Sequence, residues 1–294
     1  MRRYLRFLQH HLVLQPVDKA ANNVAFECKY SYVKILRAEL DNKEGAYTIV
    51  SSITQQELLK KHKRLLDPLK VWSQPASMFG YIYSSIKFHK LGRRFVAGLH
   101  KCSTTQLSSI MSDVLNFVLE SLRKKDNQSL QSTGVRRFFV VKGYEEMADF
   151  FKHWWFPTNV DHSVDSADFA TAYTSTPLDD LKHKLAIVLK EAWTFEAEEA
   201  DVKLGQMKIR WTGKKSCTWT KARQTHHSKT LHTFSCHQVI QLLNFLIDNT
   251  YVVNGGVLRR QTKGIPMGTN CAPAIFNLYL YYYESRWIDE MLDR

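Results

Sequence analysis

The sequence has no run of about 20 uninterrupted apolar residues, the length a helix needs to cross a bilayer. This absence leaves the membrane out of the expected partners. Cysteine is sparse: Cys28, Cys102, Cys217, Cys236 and Cys271 are an odd, scattered set without a CxxC pair. A disulfide framework is therefore not expected, and reduced thiols suit a cell interior. The start, MRRYLRFLQHHLVLQP, is basic, but Arg6, Gln9, His10 and His11 interrupt its apolar residues. It makes a poor secretory signal, so an intracellular protein, nuclear or cytoplasmic, is expected rather than a secreted one. Internal repeats and low-complexity tracts are also lacking. Acidic residues are the minority charge, 28 against 41 Lys and Arg, for a net charge of +13. That imbalance favours a polyanionic partner, nucleic acid first.

What is present suffices for a packed core. Hydrophobic residues make up 44% of the 294, enough to argue against long disorder. Residues 22–35 read as a strand running into a helix, and 54–66 as an amphipathic helix started by Thr54. The stretch 79–99 reads as two strands around a turn at Leu91-Gly92. Leu107, Ile110, Met111, Val114, Leu115, Val118 and Leu122 follow the 3.6-residue period, predicting a core-facing helix over 105–124. Helices are expected at about 143–155, 178–197 (capped around Asp179) and 237–249, with a strand at 164–173. The basic stretch 203–236 reads as a hairpin and loop, and 251–261 as a hairpin turning at Asn254-Gly255. The last segment, FNLYLYYYESRWIDEML, reads as an apolar helix with Ile275, Leu278, Leu280, Tyr282, Trp287 and Ile288 on its face. Strands and helices mix without βαβα alternation, so the expected class is α+β.

Two constellations carry chemistry. In SADFATAYTSTP, Asp168 ends the expected strand and Tyr173 follows five residues later. Nucleotidyl transfer needs hard oxygen ligands for divalent metals, and a strand-end aspartate supplies one. An aromatic five positions on would sit under the sugar of an incoming nucleotide. Equally, Asp168 could cap a turn and Tyr173 could belong to the core. In QTKGIPMGTNCAPAIFNLYL, Gly264, Pro266, Gly268 and Pro273 precede an apolar helix. Close glycines let a backbone approach a ligand, and prolines fix the loop.

In this order the two segments resemble motifs A and B of reverse transcriptases, and their wording is similar to that of Penelope-like retroelement enzymes. QPVDKAANNVAFECKYSYV and FGYIYSSIKFHKLGRRFVAG resemble the two fingers motifs of that class. The resemblance spans about residues 15–292. It implies a partial right-hand polymerase fold, with fingers over 1–160 and palm over 161–294. It also implies an RNA-directed DNA polymerase that extends a primer on an RNA or DNA template, using deoxynucleoside triphosphates (dNTP) and two Mg2+ ions, or Mn2+ in their place. By the same resemblance Asp168 holds metal and is catalytic, the carbonyl of Phe169 joins it, and Tyr173 excludes a ribose 2′-hydroxyl. Arg94 contacts the triphosphate, with Lys87, Lys90 and Lys19 as weaker candidates. Gln261, Gly264, Pro266 and Gly268 form the template-side loop.

The family's motif C, an aromatic and any residue before Asp-Asp, is not found ahead of Arg294, and Asp179-Asp180 stands in the wrong place. The expectation is thus a fragment truncated before motif C, inactive alone and missing the rest of palm and thumb. The alternative is a catalytically inactive nucleic-acid-binding retroelement remnant. A telomerase-like protein is a more distant alternative, since no RNA-binding extension is recognisable. Ala172 and Thr176 stand where relatives carry larger aliphatic residues. His226, His227, His232, Cys236 and His237 match no common zinc spacing and read as a solvated loop. The basic runs at 60–64, 123–125 and 214–215 suit phosphates or a solvated face. Trp154 and Trp155 read as core.

Overall fold

The structure is a computed structural model that describes the chain except residues 1, 21, 70, 72–78, 88–91, 154–168, 170–171, 214–215, 222–231 and 266–267. In chain order it runs α1 (Arg2–His11), β1 (Leu12–Pro16), β2 (Val24–Cys28), α2 (Lys29–Leu40), β3 (Tyr47–Ile49), α3 (Gln55–Leu66), β4 (Tyr81–Lys87), β5 (Gly92–Gly98), α4 (Thr105–Thr133) and α5 (Tyr144–His153). After these come α6 (Ala172–Ser175), α7 (Leu178–Glu199), β6 (Met207–Gly213), β7 (Ser216–Lys221), β8 (His232–Phe234), α8 (Cys236–Asp248), β9 (Tyr251–Asn254), β10 (Val257–Gln261) and α9 (Ala272–Leu292). Every ladder among the described strands is antiparallel, as the α+β expectation requires. No helix among the described residues is long and apolar enough to cross a membrane.

The main core lies where α4, α7, α8 and α9 meet the sheet β7-β6-β8. Each helix contributes a stripe of residues three or four apart, which places them on one face. On α4 these are Leu107, Ile110, Met111, Val114, Leu115, Val118 and Leu122, all buried. Trp193 of α7 is fully buried, donates its indole N–H to the Met207 carbonyl at 3.2 Å, and meets Trp219 edge to face. Such a side chain carries roughly 3–5 kcal/mol of core stability, by the usual cost of truncating it.

A second layer is built from hairpins. β1 pairs with β2, β4 with β5, and β10 pairs with both β3 and β9. The β4–β5 hairpin is the bridge between the others. On one side the Asp18 N–H donates to the Ile86 carbonyl at 2.9 Å. On the other, the Asn254 side chain accepts from the Ile82 N–H and donates back to the Ile82 carbonyl, at 2.9 and 2.8 Å. A smaller core of Leu40, Ile82, Ala97, Leu99, Cys102 and Val252 lies between the hairpins and α2.

Several expectations are corrected. The first long helix runs past residue 124 to Thr133 although its last turns are polar, because Lys124 and Lys125 pair with Glu199 and Glu191 of α7. Within 203–236 the expected hairpin is present as β6–β7, and β8 adds a third strand to it on β6, since Met207 and Ile209 have core to face; residues 214–215 and 222–231 lie outside the described residues. The late hairpin turns at Gly255-Gly256, because Asn254 still pairs with Val257. The N-cap of α7 is Pro177, and Asp179 lies in its first turn. Most of the strand expected over 164–173 lies outside the described residues, as does the Leu91 half of the earlier turn. Ala172 and Tyr173 are helical, in the short turn α6 that leads into Pro177. On α9 the buried face is Ala274, Ile275, Leu278, Tyr281 and Ser285; Trp287 is exposed, four positions beyond the exposed Tyr283.

Candidate nucleotide and nucleic-acid site

The glycine loop after β10 joins two parts of the chain that are distant in sequence. Gly264 donates its N–H to the Thr176 carbonyl at 2.8 Å and has φ +84°. A Cβ built there would overlap the Tyr173 carbonyl oxygen and come within 2.8 Å of the Thr174 Cα. Gly268, at φ +108°, presses against the main chain of Ala97 in β5, where a Cβ would overlap the carbonyl oxygen. Glycine is required at both places, since main chain cannot move aside as a flexible side chain would. β5, the loop and the Tyr173 turn are therefore one contiguous surface. The loop is held from behind by α4, whose Ser108 hydroxyl accepts from the Asn270 N–H at 2.9 Å.

Arg94 lies on β5 opposite Ser85, and its Nη1 donates to Asp18 Oδ1 at 3.0 Å. Lys87 faces Gly92 at the same end of the hairpin, and exposed Lys19 follows Asp18, with φ +59°. The three cations thus gather at one end of β4–β5. Tyr173 is half-buried, with its ring 5.0 Å from that of Phe276, and burial pushes its phenol pKa up. Phe169 is exposed and meets the same Phe276 edge-on at 5.9 Å. Gln261 is buried at the end of β10, where its amide donates to the Lys263 carbonyl at 2.9 Å and shapes entry into the loop. Asp168, Lys90 and Pro266 lie outside the described residues. Sequence reasoning missed Asp18 and Phe276, whose partners are far away in the chain.

The two Mg2+ ions implied by the resemblance need several carboxylates together. Among the described residues no three His, Cys, Asp or Glu side chains are grouped to hold a metal ion. The Asp179-Asp180 pair is turned to other uses: Asp180 accepts from the hydroxyls of Tyr279 and Tyr283, both at 2.7 Å, and Asp179 pairs with Lys182. The described residues thus bring no such set together, and Asp168, the carboxylate that the resemblance assigns to metal, lies outside them. His226 and His227 of the histidine cluster lie outside the described residues. His232 stacks on Phe234, and burial pushes the Cys236 thiol up to about 11.

The basic runs separate clearly. Arg123, Lys124 and Lys125 are paired with Glu146, Glu199 and Glu191, so their charge is matched by acidic partners of the same chain. Lys60, Lys61, Lys63 and Arg64 are all exposed on α3, a helix whose Thr54–Glu57 capping box fixes its start. Residues 214–215 and the tryptophans at 154 and 155 lie outside the described residues.

The fold as a whole has a counterpart among solved structures. The structure matches telomerase from Candida tropicalis, solved in complex with a TWJ fragment of telomeric RNA, with a TM-score of 0.57 at 14% identity. This chain is similar in fold to telomerase. The match covers 95% of this chain and 40% of the telomerase chain, so the chain spans less than half of that protein's length. Telomerase is a reverse transcriptase-related enzyme, and the likeness concerns fold alone. No protein-family model matches the sequence, and no curated protein matches it.

Proposed function

We propose that this chain is the fingers (1–160) and front palm (161–294) of a reverse-transcriptase-like polymerase, of the Penelope-like kind. In this reading it binds template–primer nucleic acid and a dNTP on the surface joining Arg94, Tyr173, Gly264 and Gly268. The observation that supports it is the double approach of the glycine loop, onto the Tyr173 turn and onto β5. Gly264 meets a turn 91 positions earlier and Gly268 a strand 171 positions earlier, and all three segments carry the motifs of the resemblance.

On this reading Arg94 and the lysines at the hairpin end hold the triphosphate, acting as charge-assisted donors. The loop supplies backbone for the nascent pair to rest on, and Tyr173 is assigned to the sugar. Asp168 and the Phe169 carbonyl are assigned to Mg2+, or Mn2+, on the resemblance alone. The exposed cations of α3 supply a contact to phosphates that does not read sequence.

The test is affinity for a labelled primer–template duplex across a salt series, followed by binding of a fluorescent dNTP. If about four phosphates are contacted, duplex affinity should fall roughly 10²-fold between 50 and 200 mM salt. Affinity that stays flat with salt would reject the nucleic-acid reading. Duplex binding with no dNTP binding would favour the inactive remnant.

A further inference from the structure

Arg93 and Arg94 are neighbours on β5, so their side chains leave opposite faces of the hairpin. Arg93 is tied into the fold through its two terminal nitrogens. Both of its terminal nitrogens bond the Glu27 carboxylate, Nη1 also reaches the Ser84 hydroxyl at 3.2 Å, and Glu27 takes a further bond from Gln15 at 2.6 Å. Arg94 is held by one bond only, Nη1 to Asp18 Oδ1, and its side chain is 40% exposed. Among the described residues its Nε and Nη2 have no partner, so one edge of the guanidinium remains available.

Asp18 is the reverse case. Its side chain is 8% exposed, and its Oδ2 is buried with no partner. It sits in a tight loop tied by Val17 N–H to the Asn23 carbonyl at 3.2 Å, and its own N–H is bonded to Ile86. A buried carboxylate oxygen left unsatisfied is costly, and such an atom in a folded protein calls for a reason.

We propose that Asp18 is the positioning residue for Arg94. It seats the inner edge of the guanidinium so that the outer edge faces the triphosphate of the incoming nucleotide. The unpaired Oδ2 gives Arg94 a two-bonded seat, the fork geometry that carboxylates prefer, which it takes when its outer edge engages phosphate. The inference rests on the proposed nucleotide-binding reading and adds the residue that aims its cation.

The sign of a substitution separates this role from simple charge. Asp18 is an anion, so if it acted only through its field, neutralising it would strengthen binding of a triphosphate. Positioning predicts the opposite. Binding of a fluorescent deoxynucleoside triphosphate should be measured for the whole chain and for Asp18→Ala, Asp18→Asn, Arg94→Ala and the Asp18→Ala/Arg94→Ala double variant. Asp18→Ala should weaken binding about tenfold, the loss of one charge-assisted bond's worth of orientation. Asp18→Asn keeps an acceptor and should lose less. In the Arg94→Ala background, Asp18→Ala should change nothing further, because the effect passes through Arg94. Salt-dependent duplex binding and melting temperature serve as controls, and Asp18→Asn replaces Asp18→Ala if the latter does not fold. Unchanged or tighter binding by the Asp18 variants, or losses that add in the double variant, would overturn the inference. Failure of the unaltered chain to bind the triphosphate would instead reject the nucleotide-binding reading itself, and this inference with it.

Discussion

Gly268 rests its bare α-carbon on the main chain of Ala97, where a Cβ would overlap the carbonyl oxygen and lie 3.1 Å from the carbonyl carbon. The contact joins the glycine loop to the strand that carries Arg94, and backbone on one side leaves no side chain to yield. Gly268→Ala should therefore cost about 2–3 kcal/mol, from the strained φ and overpacking together. Gly205→Ala, where no atom lies within 4 Å of the added carbon, should cost well under half of that. Urea denaturation of the two variants checks the difference. Equal stabilities would mean that the loop can retreat from β5.

His62 predicts an acid-sensitive stability. The ring is fully buried on α3, against Phe79, Phe245 and Tyr251. Asn249 turns its amide nitrogen to the Phe245 carbonyl and so presents its oxygen to His62 Nε2 at 3.3 Å. Nε2 then donates, and Nδ1 accepts from the Ser103 hydroxyl at 2.8 Å. Burial holds the pKa down to about 4; the Asn249 bond opposes this and Lys61 adds to it. The folded pKa lies below the unfolded value of about 6.5, so protons favour the unfolded chain. Stability from this group is complete above about pH 6.5 and is lost as pH falls towards 4, by an amount on the order of 3 kcal/mol. The urea midpoint should drop between pH 7 and pH 5, and His62→Leu should flatten that drop. A midpoint equally pH-dependent in both proteins would assign the effect elsewhere.

Much of the fold is legible because it is local. Thr54 with Glu57, and the seven-residue stripe of α4, announce their helices within a few positions, and β4 and β5 announce themselves by composition. What escapes is decided at a distance. The polar end of α4, residues 125–133, has no apolar period, and it stays helical through the Lys125–Glu191 ion pair and through Asp126, which accepts from the Arg137 N–H at 2.7 Å. β8 is three residues long and becomes a strand only because β6 offers a free edge.

The candidate site divides in the same way. The glycines of the loop could be read as close-approach points from their spacing, though not the surfaces they approach. Arg94 was legible by resemblance, whereas the role of Asp18 was not, since the two are 76 residues apart and the resemblance assigned a role only to Lys19 beside it. The run at 123–125 looked as suited to phosphates as that at 60–64. Only the acidic partners on α5 and α7 show that the first is structural.

Tyr173 carries the last prediction, because two roles remain open to it and they separate in measurement. Its ring packs on Phe276 and against the main core, and either contact could account for an aromatic at this position. Tyr173→Val removes the ring, and loss of the aromatic pair should cost about 1 kcal/mol of stability. If the ring also lies under the sugar, the variant should admit a 2′-hydroxyl that the native side chain turns away. The ratio of dissociation constants for ATP and dATP, expected to be about tenfold or more in favour of dATP, should fall to within about threefold. Tyr173→Phe keeps the ring and should keep the discrimination, since the exclusion is steric and does not use the phenol. A Val variant that loses stability but discriminates as before would assign Tyr173 to the core alone. A Phe variant that loses discrimination would instead make the hydroxyl, rather than the ring, the group that reads the sugar.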